Sequence, residues 1–229
     1  MGSIESIINR QLLKWEMDRN RSDEEKISIP SPPRVVTVSR QAGSRGAYFA
    51  SRLAEELGFQ RLHREAIDAI CASSGFRKRI VESLDEKFRG DLELLAESLF
   101  TGSSVDHRDY YRHLFRVVLS MARLGGVVLI GRGGNFILGP LRGFHIRVVA
   151  PKEQRIANLM KYSQLSDVEA ATELTQTDIE RRGLISKLFD CDIDDPQQYD
   201  LVINLAFINL EEMIEPTVTA IRSKFRRLA

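Results

Sequence analysis

The stretch of sequence that decides the fold reads VVTVSRQAGSRGA and spans residues 35–47. Its first four residues form a short, mostly β-branched run, which is typical of a strand covered on both faces in a parallel sheet. A loop containing Gly43 and Gly46 follows, and then a helical pattern begins. Where a strand turns into a helix N-terminus, backbone amides can converge, glycine permits close approach, and the helix dipole favours a negative ligand. The stretch therefore predicts an anion-binding loop, here called the first loop.

Side chains of the first loop strengthen this prediction. Ser44 offers a hydroxyl, and Arg40 or Arg45 offers a forked cation that suits a phosphate group. The alternative is that the glycines merely connect a strand to a helix, and the GxxxxGK[ST] string is absent.

Further strands are predicted on both sides of a long helical region. Short apolar runs at residues 127–130, 144–149 and 201–203 repeat the strand signature, each beside a helical pattern. A weaker strand is predicted at residues 59–62, after a helix over 48–57 that Gly58 ends. Alternating strands and helices predict an α/β fold with a doubly wound parallel sheet.

Between residues 66 and 124 the sequence is nearly all helical in pattern, with one interruption at residues 101–104. We therefore expect a helical insert between two strands. At the other end of the chain, apolar residues spaced by three and four over residues 1–22 predict an amphipathic helix. The prolines at positions 30, 32 and 33 predict a linker after it.

The chain is thus expected to have an N-terminal helix and linker at residues 1–33 and a main domain at residues 34–229. We expect the helix to dock on that domain. The alternative is that it forms a homodimer or other partner contact.

Composition narrows the classes of function. The 229 residues include 33 lysines and arginines against 32 aspartates and glutamates, so the net charge of +1 gives no general attraction to nucleic acid or membrane. Cys71 and Cys191 lie far apart, which favours buried reduced thiols over a metal site or a disulfide. No apolar run spans a bilayer and no secretory signal is evident, so we expect a cytoplasmic protein.

A second glycine loop follows the predicted strand at residues 127–130. It reads IGRGGN over residues 130–135 and places Arg132 among glycines at the carboxyl end of the sheet, where ligands of open α/β sheets bind. The alternative is a tight strand exit whose arginine points to solvent. The two loops together favour one shared ligand.

A third group of cations lies on helices after the strand at 144–149. Arg155, Arg181 and Arg182 can balance charge on a phosphoryl group while closure excludes water. The alternative is a solvated helix face on which Asp178 and Glu180 are local partners. His63 is expected to cap the next helix, and the aspartates at 192, 194 and 195 are expected to form a solvated loop, so no metal site is predicted.

On these residues the chain resembles the cytidylate kinase-like branch of the P-loop nucleoside monophosphate kinases, over roughly residues 34–225. The matching pieces are VVTVSR with GSRG, then LAEELG at residues 53–58, IGRG at 130–133, FHIRVVAP at 144–151 and YDLVIN at 199–204. The resemblance implies a P-loop three-layer sandwich with a five-stranded parallel sheet. It also implies a monophosphate-binding insert at about residues 64–125 and a lid at about residues 160–190.

The resemblance implies a transferase that moves the γ-phosphate of ATP, with Mg²⁺, to a small acceptor such as CMP or another nucleoside monophosphate. It also implies the site residues. Arg45, Arg132, Arg181 and Arg182 are expected to be catalytic, and Gly43, Ser44, Arg45, Gly46 and Arg155 are expected to bind the cofactor. Arg40 joins the expected cofactor-binding residues because of its place beside the first loop.

Two departures from the resembled kinases bear on activity. Gly46 stands where their lysine reaches the transferred phosphate, with Arg45 at a glycine position, and Gly133 replaces the aspartate of their Gly-Arg-Asp triplet. Our hypothesis is that Arg45 or Arg40 replaces the lysine. The alternatives are a nucleotide-binding regulator that has lost turnover, or a structural domain that binds a partner through its N-terminal helix.

Overall fold

The structure is a computed structural model, and it describes residues 3–24, 35–82, 84 and 108–227. The predicted linker, whose prolines lie at positions 30 to 33, and the predicted interruption at residues 101–104 lie outside the described residues.

The centre of the molecule is a parallel sheet of five strands in the order β2-β3-β1-β4-β5. The strands are β1 (Val35–Arg40), β2 (Gln60–Leu62), β3 (Val127–Ile130), β4 (Phe144–Val149) and β5 (Leu201–Asn204). The predicted five-stranded parallel sheet is therefore confirmed. Strands β2 and β3 lie on one side of β1, and β4 and β5 lie on the other side. Ligands of such sheets bind where the strand order reverses, so the crevice for a ligand lies at the carboxyl end of β1.

Strand register explains why the two glycine loops meet. Val38 pairs with Ile130 on β3 and with Ile146 on β4, whereas Arg40 pairs only with Val148 of β4. Strand β1 is two residues longer than the predicted run, so Arg40 still belongs to the strand. It extends past the end of β3 and lies beside the second loop.

Helices cover both faces of the sheet. They are α1 (Ile4–Glu24), α2 (Gly46–Leu57), α3 (Arg64–Ala72), α4 (Ser74–Glu82), α5 (Arg108–Leu124), α6 (Gly134–Leu138), α7 (Lys152–Ser163), α8 (Asp167–Phe189) and α9 (Ile214–Arg227). Helix α2 ends as predicted, because Gly58 adopts φ 65° and its N–H returns to carbonyls of the last turn.

Alternation of side chains along the strands separates two apolar cores. Val36 and Val38 point into the core formed with α2 and α9, where Phe49 and Phe225 are buried. Val35 points into the opposite core, formed with α1, α3 and α5. The predicted three-layer sandwich is confirmed, with the sheet as its middle layer.

Helix α1 packs on the same chain. Ile8, Leu12 and Trp15 are buried in the core that α3 and α5 share with the sheet. The indole Nε1 of Trp15 donates to the carbonyl oxygen of Gly125 at 2.9 Å. The described part of this helix therefore completes a core, and the division of the chain at residue 33 stays a prediction.

Cys71 and Cys191 form no disulfide with each other. Cys71 is buried, and burial raises the pKa of its thiol to about 12. Cys191 is only half-buried, because it lies in the turn after α8, so the expectation of burial is wrong for this residue. Among the helices in the described part of the chain, none is long and apolar enough to cross a membrane.

Candidate functional site

A cavity of about 540 Å³ opens at the carboxyl ends of β1 and β3. Gly43 of the first loop and Arg132 of the second loop both line it, as do Arg40 and Arg181. We call it the central cavity. The two loops that the sequence analysis singled out therefore face the same space, and α8 forms the opposite wall.

The first loop is stabilised by its own serine. Ser44 is buried, and its Oγ donates to the carbonyl oxygen of Gln41 at 2.8 Å and accepts from the N–H of Gly46 at 3.4 Å. Gly43 has φ 70° and Arg45 has φ 60°, a left-handed conformation that is costly for a residue with a side chain. The hydroxyl predicted to contact a ligand is thus used inside the loop.

Arg40 lies between the two glycine loops. A Cβ at Gly46 would come within 2.5 Å of the Arg40 Cβ, and a Cβ at Gly131 would come within 2.5 Å of the Arg40 Nη1. A side chain at Gly46 would therefore collide with the stem of Arg40, whereas a side chain at Gly131 would displace the Arg40 guanidinium and strain a backbone with φ 79°. Burial, together with the positive charge of the nearby Arg181, lowers the pKa of Arg40 to about 9. Arg40 is a poorly hydrated cation on the cavity wall.

Arg45 lies elsewhere. Its guanidinium carbon is 4.9 Å from the ring centroid of Tyr48 and 5.0 Å from that of Tyr162. Both tyrosines are exposed, and Arg45 is not among the described residues that line the central cavity. The structure thus separates the two arginines that the sequence left as alternatives for the missing lysine.

Arg132 is held by a carboxylate from the helical insert. Its Nε donates to Asp68 Oδ1 at 2.8 Å and its Nη2 donates to Asp68 Oδ2. Tyr110 donates its hydroxyl to the same carboxylate at 2.6 Å. Burial lowers the pKa of Arg132, but the hydrogen bond with Asp68 and nearby negative charge outweigh it and leave that pKa raised.

Asp68 and Tyr110 were missed by the sequence analysis. They lie 64 and 22 residues from Arg132 and belong to no glycine motif. Their positions on the inner faces of α3 and α5 emerge only when these helices pack together. The only signal in the sequence was the apolar periodicity of the two helices, which does not single out polar residues.

The three lid arginines have three different environments. Arg181 lines the central cavity, and its Nη1 donates to the carbonyl oxygen of Arg40 at 2.9 Å. Arg182 is exposed and pairs with Asp194 at 2.7 Å. Arg155 is buried and pairs with Asp178. The expectation that Asp178 would pair along its own helix is therefore wrong, because tertiary packing offers it an arginine of α7.

Gly133 is poorly placed to carry a side chain, because its backbone is left-handed and α8 lies close to it. Its φ is 64°, and a Cβ would come within 2.9 Å of Phe189 Cε2 and 3.1 Å of Ile185 Cδ1. Both neighbours belong to α8. The left-handed backbone and the packing of this helix therefore both disfavour a side chain at the position where the resembled kinases have an aspartate.

In the described part of the chain no cluster of three or more potential ligands could hold a metal ion. Glu65, Glu173 and Glu180 nevertheless line the central cavity. Mg²⁺ in phosphoryl-transfer sites takes one or two carboxylates and completes its shell with water and substrate phosphates. These glutamates fit that demand.

His63 accepts from the N–H of Ala66 and caps α3, as predicted.

The sheet order, the glycine loop after β1 and the arginine-lined cavity define an α/β protein of the P-loop kinase fold class. More specifically, the chain belongs to the cytidylate kinase-like family, whose family model matches residues 35–206.

Individual relatives agree over different shares of the chain. Cytidylate kinase of Ignicoccus hospitalis is 28% identical over 181 residues, covering 79% of this chain and 95% of that protein. Uronate isomerase of Corynebacterium glutamicum is 32% identical over 111 residues, but this stretch covers 48% of this chain and 21% of that protein. An uncharacterized protein from Eubacterium ventriosum has a crystal structure that covers 83% of this chain and 99% of its own, with a TM-score of 0.65 and 17% identity. The last match supports the fold alone.

Proposed function

We propose that the protein is a kinase that transfers the γ-phosphate of ATP to a nucleoside monophosphate such as CMP. The observation that carries the proposal is the central cavity, onto which the first loop and Arg132 both open. Family membership and the cytidylate kinase relative from Ignicoccus hospitalis support the same reaction.

In this proposal the first loop holds the donor phosphates. Main-chain groups at Gly43 and the following residues lead into the N-terminus of α2, which favours negative charge. Arg40 takes the part of the absent lysine, because its guanidinium lies on the cavity wall and Arg45 does not. Arg181 faces the same space from α8 and balances charge on the phosphoryl group in transit.

The acceptor phosphate is proposed to bind Arg132. A guanidinium offers two parallel N–H groups to a phosphate, as it does here to Asp68. This carboxylate holds the Nε–Nη2 edge, so an acceptor phosphate that uses the same edge must compete with it. A phosphate monoester carries close to two negative charges at neutral pH, so it competes better than a monoanion.

Mg²⁺, when bound, neutralises developing charge on the phosphates. Glu65 is proposed to help hold it, with Glu180 of α8 as a second carboxylate on the cavity wall. In this scheme Arg155 and Ser44 stabilise the first loop itself, and Arg45 and Arg182 supply positive charge from outside the cavity wall. These assignments are proposals.

A second candidate function has its own motivation. Gly46 and Gly133 replace a lysine and a carboxylate. A Cβ at Gly46 would collide with Arg40, and a residue at position 133 would need a left-handed backbone beside α8. A regulator that binds nucleotide without turnover accounts for both replacements.

A coupled ADP-release assay over a panel of nucleoside monophosphates, with and without Mg²⁺, tests the kinase proposal. We expect release that requires both a monophosphate and Mg²⁺. Calorimetry on the same preparation distinguishes the second candidate. Nucleotide binding without product for any acceptor refutes the kinase and favours the regulator, and the absence of both refutes the two together.

A further inference from the structure

Three side chains from α7 and α8 fasten the first loop. The N–H of Ala42 donates to Asp178 Oδ1 at 2.8 Å, and Arg155 Nη1 donates to the carbonyl oxygen of Ala42 at 3.3 Å. Asn158 Nδ2 donates to the carbonyl oxygen of Gly43 at 2.9 Å. We call Arg155, Asn158 and Asp178 the loop clamp. None of them is among the described residues that line the central cavity, so the clamp leaves that space free.

Backbone packing reinforces the clamp. Gly43 has φ 70°, and a Cβ there would collide with the carbonyl group of Arg155, whose carbon would lie 2.9 Å away. Helix α7 therefore rests directly on the loop backbone. Any other residue at position 43 would push the loop and the helix apart.

The charged pair in the clamp is largely shielded from water. The side chain of Asp178 is 20% exposed and that of Arg155 is 10% exposed. Hydrogen bonds to ionised groups are stronger than those between neutral groups, and shielding strengthens them further. The buried Nε of Arg155 has no hydrogen-bond partner within the described ranges. The orientation of this guanidinium is therefore set by Asp178 and Ala42.

Helix α8 links the clamp to the cavity. Arg181 follows Asp178 by about one turn, lines the cavity and donates to the carbonyl oxygen of Arg40. One helix therefore holds the end of β1 at Arg40 and the first loop at Ala42. A displacement of α8 would move the loop amides and a cavity cation together.

We propose that Asp178 is a positioning residue for the donor nucleotide. It acts through the Ala42 amide, fixes the backbone of the first loop, and so sets where the following amides meet the phosphates. This inference rests on the proposed kinase function for its kinetic part. Its structural part, the control of the loop by one carboxylate, stands without turnover.

The test compares three variants of the full chain. Asp178→Ala removes the acceptor for Ala42 and the partner of Arg155, whereas Asp178→Asn keeps an oxygen for Ala42. Asp200→Asn is the matched control, since Asp200 is 24% exposed and pairs with Lys224 at 2.6 Å, away from the loop. Each variant is assayed for the KM of MgATP, the KM of the acceptor, and hydrogen exchange at the Ala42 amide.

For Asp178→Ala we expect the KM of MgATP to rise at least about tenfold and the Ala42 amide to exchange at least about tenfold faster, since one charged hydrogen bond is lost. The KM of the acceptor should stay within about twofold of wild type. Asp178→Asn should recover most of both changes. A merely structural role would not raise the KM of MgATP beyond the change seen in Asp200→Asn, even if the Ala42 amide exchanged faster.

Two failures are distinguishable. If wild type releases no ADP, the kinase proposal fails, and the exchange at Ala42 alone decides the role of Asp178. If wild type is active but Asp178→Ala leaves both the KM of MgATP and the Ala42 exchange unchanged, the positioning role is overturned and the kinase proposal survives.

Discussion

Arg132 and Asp68 form a two-point ion pair between the second loop and the helical insert, with Nε on one carboxylate oxygen and Nη2 on the other. The side chain of Arg132 is 16% exposed and that of Asp68 is 32% exposed. The pair therefore lies at the boundary between cavity and core. Its carboxylate occupies the Nε–Nη2 edge of the guanidinium, which is the edge proposed to bind the acceptor phosphate.

Replacing Arg132 with lysine tests its part in acceptor binding. Lysine keeps the charge but loses the fork, so we expect the KM of the acceptor to rise by about tenfold or more. The KM of MgATP should change little. Initial rates with each substrate varied in turn measure both. An equal rise for both substrates would contradict a specific acceptor role.

Replacing Asp68 with asparagine tests the competition at the same guanidinium. The acceptor phosphate no longer has to displace an ion, so we expect its KM to fall severalfold. Tyr110→Phe is the matched control, because it removes one hydrogen bond to Asp68 and keeps the charge. A rise in the acceptor KM for Asp68→Asn would show that the carboxylate orients Arg132 and does not compete with the acceptor.

Arg40 and Arg45 are separated by single alanine substitutions. Arg40→Ala removes a cation from the cavity wall and should weaken MgATP binding by about tenfold or more, since hydrogen bonds to charged groups are worth about 1.5–3 kcal/mol. Arg45→Ala removes only a partly exposed cation–π contact worth about 1 kcal/mol, so it should weaken binding less than about fivefold. Calorimetry with a non-hydrolysable ATP analogue measures both, and the reverse order would assign the lysine's part to Arg45.

Restoring a carboxylate at position 133 should damage the protein. In Gly133→Asp the aspartate must adopt the left-handed backbone conformation of this position and displace Phe189 and Ile185. We therefore expect the free energy of unfolding to fall by about 2 kcal/mol or more. Gly183→Ala is the control in α8, because a Cβ there meets no atom within 4 Å. It should stabilise the helix by up to about 1 kcal/mol. Urea unfolding measures both, and an unchanged midpoint for Gly133→Asp would mean that α8 yields easily.

His145 predicts how stability depends on pH. Gly139 O can only accept from its Nε2, at 2.9 Å, and in the neutral ring its Nδ1 then accepts from the Thr37 hydroxyl at 2.8 Å. Burial lowers the pKa of this histidine, while Asp200 opposes and Lys224 reinforces that shift. Below about pH 6.5 the unfolded chain takes up a proton that the folded chain refuses, so stability falls as the pH drops.

The loss should reach up to about 1.4 kcal/mol per pH unit for this group. His145→Gln lacks the titration and should lose less stability between about pH 7 and pH 5. Urea unfolding at both values, for both proteins, measures the difference. Burial also lowers the pKa of His113, but that residue is common to both proteins and cancels in the comparison. Identical losses would exclude His145 as the source.

Short-range patterns were enough for the sheet and for the two glycine loops. The runs at residues 127–130 and 144–149 became strands with the predicted bounds, because a β-branched run covered on both faces has few other stable arrangements. Side-chain directions were not predictable in the same way. Arg40 and Arg45 are equally plausible in the sequence, and only the close approach of β1 to the second loop turns Arg40 into the cavity.

Long-range pairing limited the site prediction further. Asp178 had two arginines at helical spacing on its own helix, yet it binds Arg155 and the N–H of Ala42. A backbone N–H and a shielded guanidinium outweigh exposed neighbours that water solvates well. Asp68 could not be predicted as a site residue either, because its partner Arg132 is 64 residues away in the sequence.

The indole of Trp15 bonded to Gly125, together with buried Ile8 and Leu12, has a practical consequence. The family match begins at residue 35. Removing the residues before that boundary would therefore remove these three large apolar side chains from the hydrophobic core. Full burial of a large apolar side chain contributes about 1.5–3 kcal/mol of transfer free energy. The trimmed protein would expose an apolar groove beside α3 and α5. Self-association through this groove is the expected outcome.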